Sequence, residues 1–226
     1  MATQSQFLVR EVENVDGDGL FITSAFDAAL PFLHSIGSHD QWGSTPFSHQ
    51  QGWAEETLRR IREAKQNYLA GNGNSDGLRI FIVERVCSAQ VTDVLGAQYR
   101  IAVDGRRLLS VGFAFVRENW FPSYITAQEH LHMGEAERGA FLYLEVIVTD
   151  SRVGNIRRGA GASLIRSIRD YGRSRGKTKL YLDSWAGNDR KLVKYYEQQG
   201  FEVVGDFELP RANKIPWLGT LMRINI

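Results

Sequence analysis

The sequence predicts an α/β fold with a mixed, mostly antiparallel twisted sheet and helices on both of its faces. An apolar, β-branched run at residues 141–148 is typical of a buried strand, and an amphipathic helix begins on glycine at residue 159. A second strand and helix follow between residues 177 and 201, which completes a β-α-β-α unit. Residues 108–116 alternate like a strand, and residues 217–224 add a last one.

The first 70 residues predict one strand and two helices. The strand, at residues 7–12, is closed by turn residues at positions 16–19. Apolar side chains then recur three or four residues apart between positions 22 and 33, where Pro31 predicts a kink or break. The same kind of spacing predicts a second amphipathic helix over about residues 49–69.

The connection at residues 35–51 contains glycines and Pro46, which exclude a regular helix. Its aromatic side chains are costly to leave in water. We therefore expect this connection either to pack down as structural cover or to line a pocket, with Asp40, Gln41 and Trp42 nearest to an acceptor substrate.

The pair Asp104-Gly105 lies between two strand-like runs, which is a strong signal for a β-hairpin. The sequence leaves open whether residues 78–86 or residues 99–103 pair with the strand at 108–116, and the other run would belong to an insertion. A long aromatic connection at residues 118–140 then joins two core strands, and such connections are more often functional than idle.

Length and composition predict a single domain over residues 1–226, because a chain with 43% hydrophobic residues can bury a substantial core. A formal net charge of +1 gives no general drive toward nucleic acid or an anionic membrane. No apolar run approaches the roughly 18 residues needed to cross a bilayer. The first residues lack the basic start and apolar core of a signal peptide, so we expect a cytoplasmic protein, either a monomer or a homodimer.

Cysteine and histidine usage predicts neither a disulfide nor a metal site. Cys87 is the single cysteine, and a reducing compartment is its simplest environment. His130 and His132 lie two residues apart, but neither a cysteine nor an organised carboxylate cluster supplies a third ligand. We therefore expect exposed loop histidines and no metal.

The glycine-rich turn before the helix at residue 159 is the first candidate binding site. Gly159 and Gly161 let the backbone approach a ligand closely, and the first-turn N–H groups of a helix have no partner within it. These groups and the helix dipole favour an anion such as a phosphate, and Arg157 and Arg158 add guanidinium groups beside them. The alternative is a turn packed tightly against the sheet, with two solvated arginines.

Two other phosphate-binding motifs fit the turn poorly. A P-loop needs Gly-Lys followed by Ser or Thr, and the sequence has no such string at the required spacing. A dinucleotide fingerprint would place a third glycine at Leu164 and would not tolerate the polar connection at residues 149–158. Asp183, near the end of the next strand, is the one feature that suits a nucleotide ribose.

Three ordered segments, LEVIVTD, RRGAGASLI and SWAGNDRKLVKYYEQQGF, resemble the GNAT superfamily of acyl-CoA-dependent N-acetyltransferases. The resemblance covers about the last third of the chain. It implies two strands that splay apart to admit acetyl-CoA, with the first strand pairing with the pantetheine arm and the glycine turn holding the pyrophosphate. The implied cofactor-binding residues are Val146, Ile147, Val148, Arg157, Arg158, Gly159, Ala160, Gly161, Ala162 and Asn188.

The chain departs from the family pattern at two positions. Ile156 stands where the family has Gln or Arg, three residues before the first glycine. The helix after Asn188 is one residue longer than the commonest spacing to Gly200 and Phe201, so the family's asparagine corresponds either to Asn188 or to Asp189.

For direct acetyl transfer to an amine, the resemblance implies one catalytic residue, and the positions of two carboxylates in the sequence suggest candidate bases. Tyr196 occupies the position of the acid that protonates the leaving thiolate, and Glu145, within the strand beside the thioester, is a candidate base acting through one water. Its side chain should point away from Leu144 and Val146 if the strand alternates regularly. Asp183 is the second candidate base.

The acceptor is expected to be the primary amine of a small molecule, because the aromatic segments 41–47 and 120–124 suit a compact ligand. Trp185 joins Asp40, Gln41 and Trp42 as a candidate contact to it. Cys87 lies outside the β-α-β-α unit, which disfavours an acyl-cysteine intermediate. The alternatives are a protein lysine or N-terminal acetyltransferase, and a non-catalytic CoA-binding domain of the same fold.

Overall fold

The computed structural model describes residues 6–70, 77–87, 97–131, 140–212 and 214–226. Its strands are β1 (Phe7–Glu11), β2 (Leu78–Cys87), β3 (Tyr99–Ile101), β4 (Arg107–Glu118), β5 (Phe141–Thr149), β6 (Lys179–Trp185), β7 (Glu202–Arg211) and β8 (Lys214–Asn225). Its helices are α1 (Val15–Ser35), α2 (Trp53–Leu69), α3 (Ser123–Thr126), α4 (Ala160–Ser174) and α5 (Gly187–Gln198).

The strands form one mixed sheet in the order β1-β2-β4-β5-β6-β8-β7, with β3 paired to β4. The β5–β6 pair is parallel and is connected through α4, whereas the other pairs are antiparallel. Helices cover both faces: α1 and α2 pack on one, and α4 and α5 on the other. The predicted fold class is confirmed.

The parallel pairing of β5 and β6 is short. It joins Phe141–Leu144 to Lys179–Leu182 and then stops, although β5 continues to Thr149 and β6 to Trp185. On its other side β5 stays paired to β4 as far as Thr149. The two strands therefore diverge, and one edge of β5 is open beyond Leu144.

A β-bulge interrupts the β4–β5 pairing at Glu145. Val116 pairs with Leu144 and Phe115 with Val146, so Glu145 is the extra residue on β5. Leu144 packs into the core beneath α4, while Glu145 and Val146 both line a cavity on the opposite face. The expectation that Glu145 points away from Leu144 is confirmed, and the expectation that it points away from Val146 is wrong because the bulge breaks the alternation.

The first helix begins earlier than the sequence predicted. Residues 16–19 lie within α1, which starts at Val15 and is capped by Asn14, whose side chain accepts a hydrogen bond from the N–H of Gly17 at 3.1 Å. Asp18 is buried because Arg10 donates two hydrogen bonds to its carboxylate. Helix α1 also continues through Pro31 to Ser35.

The remaining differences concern strand pairing and helix ends. Strand β2 pairs with β4 along its length, whereas β3 adds three paired residues at the start of β4, so the hairpin at Asp104-Gly105 is confirmed and short. Helix α2 begins at Trp53, four residues later than predicted. The C-terminal strand is one arm of a β7–β8 hairpin that the sequence analysis did not predict. In the described residues, none of the helices is long and apolar enough to span a membrane.

Candidate functional site

The start of α4 lies next to the diverging end of β5. Gly159 precedes the helix in a left-handed conformation (φ 92°) and is exposed. No side chain caps this helix end, and no acidic residue occupies its first turn. The first-turn N–H groups, at Ala160, Gly161 and Ala162, have no partner within the helix. This helix end is therefore available to an anionic ligand.

Helix α5 approaches α4 closely at Gly161. A Cβ atom on Gly161 would lie 2.8 Å from the hydroxyl oxygen of Tyr195 and 3.9 Å from Thr149 Cγ2. Tyr195 is half-buried, and burial raises the pKa of its hydroxyl. Tyr195 was not among the predicted site residues, although it directly precedes the predicted Tyr196 in the sequence.

The two arginines before the glycines have different surroundings. Arg157 donates from Nη1 to the carbonyl oxygen and the hydroxyl of Thr149, at 3.3 and 2.9 Å, and its guanidinium lies 4.3 Å from the ring centre of Phe32. Burial lowers the pKa of Arg157. Arg158 is exposed and makes a 3.4 Å contact with Asn155. Arg157 thus ties the turn to β5, and Arg158 is the cation that faces solvent.

Two further contacts hold the turn that precedes α4. Asp150 is buried, accepts from the N–H of Arg152 at 3.0 Å, and forms an ion pair with the Arg152 guanidinium at 2.8 Å. Arg85, from β2, donates to the carbonyl oxygen of Ile156 at 2.6 Å. Arg85 is too distant along the chain to belong to a sequence motif of the turn. Its hydrogen bond nevertheless holds Ile156, the position at which the family has Gln or Arg.

Tyr196 lies in the core on the α4 face of the sheet. Its ring packs against Tyr195 and Phe201, with centroids 5.3 and 5.6 Å apart. Burial raises the pKa of its hydroxyl, and the nearby Tyr195 and Asp183 add to the rise. The phenol therefore keeps its proton at neutral pH.

Asp183 accepts hydrogen bonds from two tyrosines on the opposite face of the sheet. Tyr143 and Tyr124 both donate to its Oδ1 atom, the latter at 3.1 Å. Burial raises the pKa of the Asp183 carboxyl, and the two hydroxyl donors offset part of that rise. Burial likewise raises the pKa of both tyrosines.

A cavity of about 280 Å³ adjoins this cluster. Its walls are mostly aromatic and combine helix, strand and connection residues: Phe26, Trp53, Arg60, Trp120, Pro122, Tyr124, Tyr143, Glu145 and Val146. The segment 120–124 was predicted to face an acceptor, and three of its residues lie in this wall. The other predicted segment, 41–47, packs behind the wall, where Trp42 and Phe47 contact the ring of Phe26.

Glu145 is held in this cavity by two arginines. Arg60 of α2 donates to Oε2, and Arg117 of β4 donates to Oε1 at 2.8 Å. Arg117 also reaches Glu63 at 3.5 Å, and the Arg60 guanidinium lies 4.6 Å from the ring centre of Phe115. Neither arginine could be predicted from the sequence, because both come from elements far from Glu145 along the chain.

The four predicted acceptor contacts lie outside the cavity wall. The backbone oxygens of Asp40 and Gln41 accept from Arg211 and Trp217 of the β7–β8 hairpin, at 2.9 and 3.1 Å. Trp42 contacts the back of the wall, as described above. Trp185 is buried at the end of β6, with its ring over Gly187.

Asn188 fixes the bent start of α5. Its side-chain amide donates to the carbonyl oxygen of Ile36 at 2.7 Å and to the hydroxyl of Ser38 at 2.8 Å. Asn188, Asp189 and Arg190 all have left-handed backbone angles, with φ between 50° and 57°. Asn188 thus connects α5 to the loop after α1.

Within the described residues, no group of three or more His, Cys, Asp and Glu side chains could hold a metal ion. His130 contacts the backbone oxygen of Asp206 at 2.7 Å. His132 lies outside the described residues.

Comparison with known proteins identifies the fold. No family model matches the sequence, and no curated protein matches it. Solved structures do match along the length of the chain. One is a proposed acetyltransferase from Salmonella typhimurium with its cofactor acetyl-CoA (TM-score 0.53, 13% identity, 98% of this chain and 94% of that chain). Another is a proposed GNAT-family acetyltransferase from Desulfovibrio desulfuricans (TM-score 0.53, 13% identity, 97% of this chain and 98% of that chain).

A third similar structure is a proposed acetyltransferase from Acinetobacter baylyi (TM-score 0.55, 12% identity, 98% of this chain and 95% of that chain). The chain has the GNAT acetyltransferase fold. In the GNAT fold of this chain, β5 diverges from β6 beyond Leu144, and the next residue, Glu145, lines the cavity on the face opposite to α4.

Proposed function

We propose that this GNAT-fold protein is an acetyl-CoA-dependent N-acetyltransferase that transfers the acetyl group directly to a primary amine of a small molecule. The observation that carries the proposal is the divergence of β5 and β6 after Leu144 and Leu182. The open edge of β5 that results lies in the same strand as Glu145, which lines the cavity, and β5 leads into the turn before the uncapped N-terminus of α4.

The residues around α4 fit acetyl-CoA. Gly159, Ala160, Gly161 and Ala162 carry almost no side chain, so their N–H groups can reach the diphosphate, and Arg158 adds an exposed cation. The open edge of β5 at residues 146–148 offers backbone groups to the amides of the pantetheine arm. Acetyl-CoA, when bound, supplies an acetyl group activated as a thioester.

Glu145 is the proposed base. An amine must lose a proton before it can attack a carbonyl carbon. Each Glu145 oxygen has a lone pair beyond the one used by its arginine, so the carboxylate can accept a proton directly or through one water. Asp183 is the alternative base, and it would act through Tyr124 and Tyr143, which line the same cavity and donate to it.

Acetyl transfer also needs a donor to the oxyanion and a proton donor to the leaving thiolate, which we assign to β5 and α5. An N–H group on the open edge of β5 is the proposed donor to the developing oxyanion. Tyr196, which the GNAT resemblance places at the acid position, is the proposed proton donor to the departing sulfur. Tyr195, whose hydroxyl lies beside Gly161, is placed to contact the cofactor.

The cavity favours a small acceptor over a protein. Its volume of about 280 Å³ lies just below the range usual for ligand pockets, which is about 300–1,000 Å³. A lysine side chain or a protein N-terminus remains the second candidate, and a non-catalytic CoA-binding domain the third.

Release of free thiol from acetyl-CoA across a set of small amines and peptides tests the proposal. We expect acetylation of a small amine that falls sharply in Glu145→Gln, with CoA affinity kept. Acetylation of peptides alone would favour the protein acceptor. CoA binding without acetylation of any amine would favour the non-catalytic domain.

A further inference from the structure

We propose that the acceptor is an aromatic compound whose primary amine is weakly basic and enters the cavity unprotonated, and not as an ammonium ion. This inference rests on the proposed function and specifies its substrate class. It follows from the charges around Glu145 and from the aromatic wall of the cavity.

The charge of Glu145 is already balanced inside the protein. Arg60 donates to its Oε2 atom, and Arg117 donates to its Oε1 atom at 2.8 Å. A second carboxylate, that of Glu63, lies 3.5 Å from Arg117. These four side chains carry two positive and two negative charges. Glu145 is the one acidic residue in the wall as the structure describes it, so a substrate ammonium would meet no uncompensated negative charge there.

The buried Asp183 adds no such charge to the cavity. It is not among the residues of the wall, but Tyr124 and Tyr143, which are, both donate hydrogen bonds to its Oδ1 atom. Burial raises the pKa of the Asp183 carboxyl, which favours its uncharged form. The two hydroxyl hydrogens are thus committed to Asp183, and this cluster offers the ammonium ion no exposed carboxylate.

Aromatic rings attract cations, but the protein already places its own cations at the rings of this site. The Arg117 guanidinium lies 5.0 Å from the ring centre of Trp120, which lines the cavity. The Arg60 guanidinium lies 4.6 Å from the ring centre of Phe115, and Arg60 belongs to the wall itself. An ammonium ion beside Glu145 would therefore be repelled by two fixed guanidinium groups, and such repulsion is strong where water is scarce.

An unprotonated amine avoids these costs. An ammonium ion has three donors and a charge that would lose its hydration among apolar rings. A neutral amine keeps its lone pair for attack, and one N–H can donate to a Glu145 lone pair that the arginines leave. As the C–N bond forms, the nitrogen becomes positively charged and acidic. Glu145 then takes that proton, the C–S bond breaks, and the thiolate receives the Tyr196 proton.

The rest of the wall defines the body of the substrate. Aromatic rings form most of it, and they belong to Phe26, Trp53, Trp120, Tyr124 and Tyr143. Burial of another ring against them is favourable through the apolar area removed from water and through edge-to-face contacts. The class is therefore arylamines, together with aromatic amines whose nitrogen is made weakly basic by electron-withdrawing neighbours.

Three amines separate basicity from shape: β,β-difluorophenethylamine, phenethylamine and difluoroethylamine. The first two share one aromatic body, and fluorine makes the first weakly basic, whereas the third is weakly basic but has no ring. At neutral pH, kcat/KM of the first should exceed that of each other amine by at least about tenfold. Each unit by which the pKa of an amine falls raises its unprotonated fraction about tenfold, and the ring adds buried apolar area. A value for either other amine that equals or exceeds that of the first would overturn the inference.

A pH series identifies the form of the amine that reacts. The kcat/KM of phenethylamine should rise with pH until its own amine is unprotonated, and the advantage of the difluoro analogue should disappear over that range. An advantage that does not change with pH would mean that fluorine acts through shape or polarity, and it would contradict binding of the unprotonated form.

Variants of the two arginines test the charge balance. Arg60→Gln and Arg117→Gln each remove one positive charge beside Glu145, so an ammonium ion then meets an uncompensated carboxylate. The ratio of difluoro analogue to phenethylamine kcat/KM at neutral pH should fall in both. The matched control Arg62→Gln removes the same charge from an exposed position of α2 and should keep the ratio. The ratio does not depend on how much of a variant folds. An unchanged ratio in Arg60→Gln and Arg117→Gln would contradict the charge argument.

Calorimetry separates this inference from the proposed function. The difluoro analogue and phenethylamine are titrated at neutral pH into the protein with non-acylated CoA present. Tighter binding of the difluoro analogue without any acetyl transfer would retain the ligand class and overturn the enzyme. Acetyl transfer to phenethylamine without a preference for the difluoro analogue in binding or in kcat/KM would retain the enzyme and overturn the substrate class.

Discussion

The hydroxyl of Tyr195 lies so close to Gly161 that a single Cβ atom would come within 2.8 Å of it. This contact brings the last helix of the β-α-β-α unit against the first turn of α4. A side chain at position 161 would therefore have to displace the Tyr195 hydroxyl, next to the proposed diphosphate site.

Gly161→Ala should weaken CoA binding by about tenfold or more, because the added methyl displaces Tyr195 and crowds the first-turn N–H groups. Isothermal titration with CoA measures the loss. Tyr195→Phe removes the clashing oxygen, so the double variant should recover part of the affinity lost in Gly161→Ala. If the single and double variants bind alike, the contact does not limit the site.

Tyr196→Phe should lower kcat by about 10²-fold or more while the affinity for acetyl-CoA changes little, because the phenol serves as proton donor and not as a cofactor anchor. Steady-state kinetics with a preferred amine give kcat, and calorimetry gives the affinity. Tyr68→Phe, an exposed tyrosine on α2, is the control. Wild-type turnover in Tyr196→Phe would remove the residue from its assigned role.

We expect Arg157 to be a structural residue and Arg158 to be a CoA-binding residue. Arg157→Ala removes the bonds to Thr149 and the stacking on Phe32, so it should reduce the free energy of unfolding by about 1–2 kcal/mol. Arg158→Ala should leave the unfolding midpoint unchanged and weaken CoA binding, more so at low salt. Thermal unfolding and titration at two salt concentrations check both. The reverse pattern would contradict the assignment.

The raised pKa of Asp183 predicts a pH-dependent stability. The folded protein holds the Asp183 proton more tightly than the unfolded chain, so this carboxyl contributes stability at low pH that is lost as pH rises. The loss starts near the unfolded value of about 3.9 and is complete above the folded pKa. Asp183→Asn keeps an oxygen that can accept from both tyrosines and does not titrate.

Chemical denaturation at several pH values compares Asp183→Asn with the wild type. The stability of the wild type relative to the variant should fall as pH rises from about 4. A relative stability that rises with pH would mean that the carboxylate, and not the carboxylic acid, is the favoured form in the folded protein.

The β5–α4–β6 unit could be predicted from sequence because its signals are local. The apolar run at residues 141–148, the glycines at 159 and 161 and the three-to-four residue spacing that follows all lie within one stretch. The fold class followed from this unit and the hairpin at Asp104-Gly105, and both were confirmed.

Non-local pairing explains what the sequence could not predict. The bulge at Glu145 arises because consecutive residues of β4 pair with Leu144 and Val146. The sequence of β5 alone does not reveal this pairing. Strand β7 was not predicted, and its Gly205 and Pro210 lie at irregularities in its pairing with β8, where such residues are tolerated. Residues 16–19 were predicted as a turn but lie in α1. The ion pair between Asp18 and Arg10, which the sequence does not reveal, buries Asp18 within that helix.

The candidate site divides in the same way. The diphosphate turn was predicted by a contiguous motif, whereas the cavity is assembled from α1, α2, β5 and the 120–124 connection. In the sequence, Arg60 and Trp53 occupy ordinary positions of an amphipathic helix. Only the folded structure brings them into the wall of the cavity that also contains Glu145. The tyrosines around Asp183 likewise come from two different elements.

The most direct test of the central claim is a calorimetric titration with CoA and, separately, with pantetheine, which lacks the diphosphate. If the N–H groups at the start of α4 bind the diphosphate, CoA should bind and pantetheine should bind at least about tenfold more weakly, since it loses charge-assisted hydrogen bonds. No heat of association with CoA, or equal affinity for the two compounds, would contradict the account.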